Sequence, residues 1–342
     1  MAPSRKRVSI GNVLGETEVF LRDILYDQPR AWLIQAREKA RDLPKTNFEL
    51  GCRFADIGKW YDAMFRFRVT LYLQPNYPQA LYNLGCCYFH LGRTDKAVAT
   101  FKQVLAKTPN HADVIFMLAA IDPTALTPAQ RPQRMPRTMV TGFFTSIAGT
   151  YNAVEAQNQY RGGAVVAEQA KPLLPPSGLT VVDLGCGTGL AAMPFRANAS
   201  VMTGVEITPA MAAQAAAATQ NNTLLFDRVI TADMTALDDQ IAPETADLML
   251  LVNVVQFVGG LDTVMASSAR LLKPGGLLAL TVEPFAAADG FGVVAKTGRF
   301  GHGAVYVTRL AEQNGLRCLK QSNITLYPQT NAALFLLRKG GE

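Results

Sequence analysis

Three glycines at alternate positions, Gly185, Gly187 and Gly189, stand just behind an acidic residue, Asp183, and just ahead of Leu190-Ala191-Ala192. The residues before them, Thr180 to Leu184, are short, β-branched and apolar, so the segment reads as a strand, a glycine-rich turn and the opening of a helix. Glycine permits the tight dihedrals of such a turn and leaves no Cβ between main chain and ligand, which predicts a ligand site. A second acidic residue, Glu206, closes the next apolar run, Val201 to Val205, where its carboxylate can accept from both hydroxyls of a ribose. The turn reads G-x-G-x-G and not the G-x-G-x-x-G of dinucleotide folds. A ribose is indicated; which cofactor carries it stays open at this point.

The elements that must position these groups occupy only part of the chain. At 342 residues, two domains are expected, and 49% hydrophobic with 18% charged residues excludes disorder throughout. The most apolar charge-free stretch, Leu248 to Leu261, is too short for a bilayer and contains Asn253 and Gln256, so no membrane span is expected. The basic N-terminus, Met1 to Arg7, is not followed by an apolar signal core, which argues against secretion. Five cysteines without a C-x-x-C predict neither a disulfide framework nor a metal site, and a reducing cytoplasm is expected. Residues 1–140 carry 20 Lys and Arg against 12 Asp and Glu, whereas 141–342 carry 13 against 15. The basic half lacks an aromatic-interleaved cluster, so no nucleic-acid partner is expected.

That first half repeats itself. A shift of 34 residues brings Gly51 onto Gly85, Phe54 onto Tyr88, Gly58 onto Gly92, Ala63 onto Ala97, Phe67 onto Phe101 and Pro75 onto Pro109. Small residues let paired helices approach, large ones fill the space between them, and proline ends each second helix. This period and pattern resemble the tetratricopeptide repeat, with repeats at about 44–77 and 78–111. The resemblance implies a groove for a protein or peptide partner; packing on the second domain is the alternative. Phe20, Leu21, Ile24 and Leu25, and then Trp32, Leu33, Ala36 and Ala40, fall at helical spacing, and His111 to Ile121 reads as a further helix; these flanks are expected to cap the stack. Pro123, Pro128, Pro132 and Pro136 mark a stiff linker. The expected organisation is a helical repeat domain over 1–122, a linker over 123–139 and an α/β domain over 140–342.

Within 140–342, Val182-Asp183-Leu184-Gly185-Cys186-Gly187-Thr188-Gly189, Gly204-Val205-Glu206-Ile207, Ala232-Asp233-Met234 and Leu271-Leu272-Lys273-Pro274-Gly275-Gly276 occur in that order. Together they resemble the seven-stranded, Rossmann-like (class I) methyltransferases that use S-adenosylmethionine. More narrowly, Phe226 to Asp233, Thr281-Val282-Glu283 and Gly298-Arg299-Phe300-Gly301-His302 ahead of Tyr306 resemble a bacterial group of tetratricopeptide-containing methyltransferases, over about residues 45–340. The resemblance implies S-adenosylmethionine as cofactor. Gly185, Gly187 and Gly189 would border its methionine part, and Asp183 would position it through its ammonium or a water. Glu206 would hold the ribose, Ile207 would cover the adenine, and Asp233 with the Met234 backbone would read the adenine edge. Asn253 would face the cleft where transfer occurs. Its continuation, Val254-Val255-Gln256, departs from the Asn-Pro-Pro-Tyr of amide and adenine N-methylating enzymes.

Methyl transfer from a sulfonium is an in-line displacement that depends on alignment and water exclusion, and a base is needed only for a protonated acceptor. His302, the only histidine after residue 140, is a candidate base, with Tyr306 one helical turn on and Arg299 available to orient an acidic or polar acceptor. The alternative for His302 is a hydrogen-bonded capping residue. Tyr151, Tyr160 and Arg161 read either as a lid or as core and surface. A protein, a peptide or a small metabolite could accept the methyl group; the rival functions are an inactive interaction scaffold and a nicotinamide-dependent oxidoreductase.

Overall fold

A computed structural model describes residues 29–237, 240–295 and 297–341, with side chains from residue 42 onward. The chain divides into two compact units, Met1–Pro109 and Asn110–Glu342. The basic N-terminus and the expected helix around Phe20 to Leu25 lie outside the described residues.

The first unit is built from α1 (Pro29–Asp56), α2 (Trp60–Leu73), α3 (Pro78–His90) and α4 (Thr94–Lys107). Gly58 and Gly92 supply the left-handed residue between paired helices, at φ +71° and +68°. The 34-residue period has a direct steric meaning. A Cβ on Gly51 would lie 2.6 Å from Phe67 Cε1, and one on Gly85 would lie 2.5 Å from Phe101 Cε1, so both repeats are closed by the same glycine-on-ring contact. Ala63, Phe67, Ala97 and Phe101 are fully buried. The helices α2 and α4 stop two residues short of Pro75 and Pro109. Pro44, at the start of the first repeat, does not begin a helix: α1 runs through it, and the Thr70 hydroxyl donates to the Pro44 carbonyl at 3.3 Å. Gly85→Ala should lower the stability of this unit by about 1–3 kcal/mol, because the Phe101 ring cannot withdraw from a packed interface without leaving its rotamer. Urea unfolding followed by circular dichroism measures it.

In the second unit, α5 (Ala112–Ile121), which the sequence groups with the repeats, packs through Phe116 against Phe300, ring centroids 5.7 Å apart. The proline-rich segment after it is not a free spacer. Two 3-10 turns, Pro123–Ala125 and Pro128–Gln130, are followed by main-chain pairing with the loop 257–260. There Gln133 O accepts from Gly259 N and Gly260 N, and Met135 N donates to Phe257 O. Three helices follow, α6 (Arg137–Ile147), α7 (Tyr151–Gln157) and α8 (Gly162–Ala170).

The sheet then forms from β1 (Leu179–Leu184), β2 (Ala199–Glu206), β3 (Arg228–Thr231), β4 (Ala246–Leu251), β5 (Leu272–Pro284), β6 (Phe291–Val294), β7 (Arg299–His302), β8 (Leu316–Tyr327) and β9 (Thr330–Lys339). Its main order is β8-β9-β5-β4-β1-β2-β3, with β6 paired to β7 and β7 to β5. The five strands β3, β2, β1, β4 and β5 run parallel, while β9 is antiparallel to β5 and to β8. Helices α9 (Pro209–Ala217), α10 (Asp262–Leu271) and α11 (Ala304–Gln313) fall between strands. Because apolar clusters cover both sheet faces, the stretch 248–251 of β4 and the middle of β5 read as unbroken apolar runs rather than alternating ones. The strand order reverses at β1, between β2 and β4, and the carboxyl ends there form the natural ligand crevice of such a sheet. The helix expected from Leu190 onward is instead a 3-10 turn, Met193–Asn198. Pro194 removes a donor, and few residues separate Gly189 from the start of β2.

Candidate functional site

At the end of β1 the chain turns sharply: Gly185, Gly187 and Gly189 adopt φ of +73°, +56° and +96°. A Cβ on Gly185 would lie 2.2 Å from Val254 Cγ2, and one on Gly189 would lie 2.3 Å from Leu225 Cδ2, so neither position has room for a larger residue. Gly185 N and Cys186 N both donate to Val205 O, which ties the turn to β2. At the end of β2 the buried Glu206 completes the cradle: Oε2 accepts from Gly187 N at 3.1 Å and Oε1 from Thr208 N at 2.8 Å. Each oxygen keeps a lone pair for a further donor.

Above this turn lies a cleft of about 940 Å³, its mouth included. The structure brings Gly185, Gly187, Glu206, Ile207, Asp233, Met234 and Asn253 together on its walls. Gly189 and Asp183 lie beneath that surface. Asp183 is 1% exposed and its Oδ2 has no hydrogen-bond partner; burial and then the nearby Glu206 charge push its carboxyl up to about 8. A buried, unpartnered carboxylate oxygen below a glycine cradle fits a ligand that brings a cationic donor, such as an α-ammonium group. Asp233 Oδ1 accepts from the Thr235 amide and hydroxyl, and Oδ2 meets Arg134 Nη2 at 2.6 Å. Burial raises this carboxyl, but the Thr235 bonds and Arg134 outweigh it and hold the group below its ordinary value. Asn253 is a non-glycine residue at φ +57°, fixed by its N–H on Thr281 Oγ1 at 2.8 Å and by Gln256 Nε2 on its Oδ1 at 2.9 Å.

Some cleft residues carried no sequence signal. Arg134 and Met135 come from the proline-rich segment, where only its joining to the sheet loop 257–260 shows their role. Phe144, Tyr151 and Tyr160 also line the cleft, so the tyrosines that read equally as lid or as core are walls of it. Arg161 stays exposed, its N–H bonded to Leu326 O.

His302 and Tyr306 require a correction. Neither lines the cleft. His302 is 1% exposed, its Nε2 lies 2.9 Å and 3.0 Å from the carbonyls of Val258 and Gly259, and its ring packs beside Phe291 and Tyr306. Burial lowers its pKa to about 4 against the partial pull of the two carbonyls, so it stays neutral and reaches no acceptor. Tyr306 Oη accepts from Leu261 N at 2.8 Å and is held there. Both residues anchor the loop behind the cleft, because the strand end that carries His302 is inserted under that loop. The folded-state pKa of His302 lies below its unfolded value, so its contribution is intact above about pH 6.5 and is lost as pH falls toward 4. His302→Gln should flatten that acid loss of thermal stability and leave nucleoside binding within about twofold; melting curves across pH test it.

Residues 182–280 match the family model of a methyltransferase domain, and residues 78–111 match that of a tetratricopeptide repeat. The chain thus carries one segment that matches a methyltransferase domain and one that matches a tetratricopeptide repeat. Ubiquinone biosynthesis O-methyltransferase of Rhodopseudomonas palustris is 31% identical over 109 residues, which is 32% of this chain and 41% of that protein. The enzyme of the same name from Rhizobium leguminosarum bv. trifolii is 32% identical over 109 residues, 32% and 42% of the two chains. The chain thus spans about two fifths of the length of these relatives. Among solved structures, the (4+2)-cyclase SpnF superposes with a TM-score of 0.50 at 18% identity, covering 62% of this chain and 98% of its own. The likeness is one of fold. The methyltransferase domain therefore supplies the sheet order and the crevice, and the residues on the crevice walls carry the argument about chemistry.

Proposed function

We propose that the methyltransferase domain binds S-adenosylmethionine and catalyses transfer of its methyl group. The carrying observation is the pair of buried carboxylates at the strand-order switch: Asp183 with an unpartnered oxygen beneath the glycine turn, and Glu206 with two free acceptor positions on the cleft wall. When bound, S-adenosylmethionine supplies an electrophilic methyl group on a positively charged sulfur. Asp183 would position the ammonium from beneath the turn, directly or through a water, the glycine turn would run beside the methionine chain, and Glu206 would accept from the ribose hydroxyls. Ile207 and Met234 would flank the base, with Asp233 and Arg134 at its polar edge. The buried walls exclude water from the nucleophile, and alignment is the main catalytic contribution.

The repeats would recruit a protein or peptide. Such a partner is one source of acceptor, but the aromatic-lined space next to the cleft favours a small molecule, and the curated relatives are named as O-methyltransferases. Cysteines without a C-x-x-C support a reducing, cytoplasmic setting; among the described residues no helix is long and apolar enough to cross a membrane.

Calorimetric titration tests the cofactor. S-adenosylmethionine and S-adenosylhomocysteine should both bind, and binding of NAD with no response to either sulfur compound would sink the reading. Incubating a lysate with methyl-labelled cofactor tests turnover: label on a discrete product excludes an inactive scaffold, and its absence favours one.

A further inference from the structure

Past Asn253 the cofactor cleft adjoins a second chamber of about 1330 Å³, mouth included, and Phe144, Tyr151, Asn253 and Phe257 line both. Two features of this chamber stand out chemically. The first is its rings. Phe143, Phe144, Tyr151, Phe257 and Tyr327 all face it, and Phe144 presents T-shaped contacts to Phe143, Tyr151 and Phe257 at centroid distances of 5.2, 6.2 and 5.4 Å. Aromatic walls of this kind favour a flat, ring-bearing guest. The second is a polar chain that starts at the neck between the two spaces. Asn253 Nδ2 donates to Tyr327 Oη at 3.1 Å, and Tyr327 Oη donates to Glu155 Oε2 at 2.9 Å. The Tyr151 hydroxyl also acts on Glu155, favouring its ionised form. Glu155 is 8% exposed, yet no cation lies within ion-pair distance of it among the described residues.

A buried carboxylate is costly unless its burial serves something. Here it backs the one tyrosine hydroxyl that both faces the chamber and bonds to the residue at the neck. We propose that this chamber receives a planar aromatic acceptor bearing a hydroxyl group, and that Tyr327, backed by Glu155, takes the proton of that hydroxyl. The inference rests on the methyl-transfer reading above. In the step, the acceptor oxygen forms a bond to the methyl carbon as the carbon–sulfur bond breaks with its electron pair going to sulfur. The acceptor proton passes to Tyr327 Oη while the proton of Tyr327 passes to Glu155 Oε2, so a sulfonium and a carboxylate become a neutral thioether and a neutral carboxylic acid. Tyr327 is then the catalytic residue, and Glu155 is a positioning residue that acts through it. Burial raises Glu155 above the ordinary carboxylate range, opposed by its bond to Tyr327, by the Tyr151 hydroxyl and by the positive charge of Arg299. Tyr160 is the other titratable group coupled to it. The carboxylate is thus a better proton acceptor than a solvated glutamate. Asn253 would keep the Tyr327 oxygen at the neck, and its strained, doubly anchored backbone holds that aim.

Catechol is a suitable probe, with aniline as the control that shares the ring and lacks the hydroxyls. The wild-type protein saturated with S-adenosylhomocysteine should bind catechol measurably by calorimetry, and Tyr327→Phe should weaken that binding about tenfold. With methyl-labelled S-adenosylmethionine, catechol should be converted to its methyl ether in preference to aniline. Tyr327→Phe and Glu155→Gln should slow this by on the order of 10²–10⁴-fold, with S-adenosylhomocysteine affinity within about twofold of wild type as the check on folding. The wild-type rate should rise with pH as Glu155 ionises, and that rise should vanish in Glu155→Gln, which loss of packing alone would not produce. If S-adenosylhomocysteine binds but catechol neither binds nor takes label, or if aniline is preferred, the acceptor assignment is overturned alone. Undiminished turnover in Tyr327→Phe overturns the proton role. If S-adenosylhomocysteine does not bind, the methyl-transfer reading falls and this inference falls with it.

Discussion

Asp183→Asn is expected to raise the thermal stability of the ligand-free protein near and above neutral pH, and at the same time to weaken S-adenosylhomocysteine binding by on the order of 10²-fold. Both effects follow from one buried oxygen. Asp183 ionises near 8 in the folded protein and near 3.8 when unfolded, so the unfolded chain loses its proton first as pH rises. Stability therefore falls with rising pH between about 4 and 8, at roughly 1.4 kcal/mol for each pH unit of that window, and is flat outside it as far as this group is concerned. The asparagine variant has no proton to lose, and its melting temperature should not show that slope. Ligand binding works in the opposite sense. An ammonium beside Asp183 favours the ionised form, so wild-type affinity should increase with pH up to about 8 and binding should release a proton into the buffer. Calorimetry in buffers of different ionisation enthalpy reads that proton directly. A wild-type melting profile and affinity that are both flat between pH 5 and 8 would remove the electrostatic account of this site.

Glu206→Ala should weaken S-adenosylhomocysteine binding by about 10²–10³-fold, the scale expected for loss of charge-assisted hydrogen bonds to a ribose. The substitution also leaves Gly187 N and Thr208 N without their acceptor, and the positive-φ turn at Gly187 loses one of its ties to β2. A loss of about 1–3 kcal/mol in the stability of the ligand-free protein should accompany the loss of affinity, because an orphaned buried N–H carries its full desolvation cost. Glu206→Gln separates the two effects. Its amide keeps one acceptor oxygen, so one of the two backbone donors and one ribose hydroxyl lose their partner. Removing the charge also relieves part of the pressure on Asp183, whose ionisation should move modestly downward because burial is the larger cause. Titration of the ligand with each variant, followed by melting curves across pH, distinguishes lost ribose contacts from a collapsed turn: the collapsed turn would weaken adenosine and methionine portions alike.

How much of this was legible beforehand depended on the range over which each residue acts. The helical repeat was readable because Gly51 and Phe67, or Gly85 and Phe101, meet within one hairpin, and the hairpin then recurs after 34 residues. The glycine turn and Glu206 were readable for the same reason. Strand, turn and acidic strand end are local patterns, and the β1–β2 register that joins Glu206 to Gly187 follows from adjacent parallel strands. The candidate base was misplaced because histidine has the right chemistry in any sequence context, whereas its burial is decided by what packs over it. His302 lies 44 and 43 residues from the carbonyls that hold it.

The amino-acid sequence by itself determined the repeat, the α/β character of the second half, and a glycine turn flanked by the acidic residues Asp183 and Glu206. Tertiary structure alone decided which distant groups share the site. Arg134 reaches Asp233 across 99 residues, and Tyr327 reaches Glu155 across 172. The physical reason is that periodicity and turn chemistry constrain neighbours within a few residues, while an ion pair or a hydroxyl–carboxylate bond between distant residues exists only after the fold has brought remote segments together.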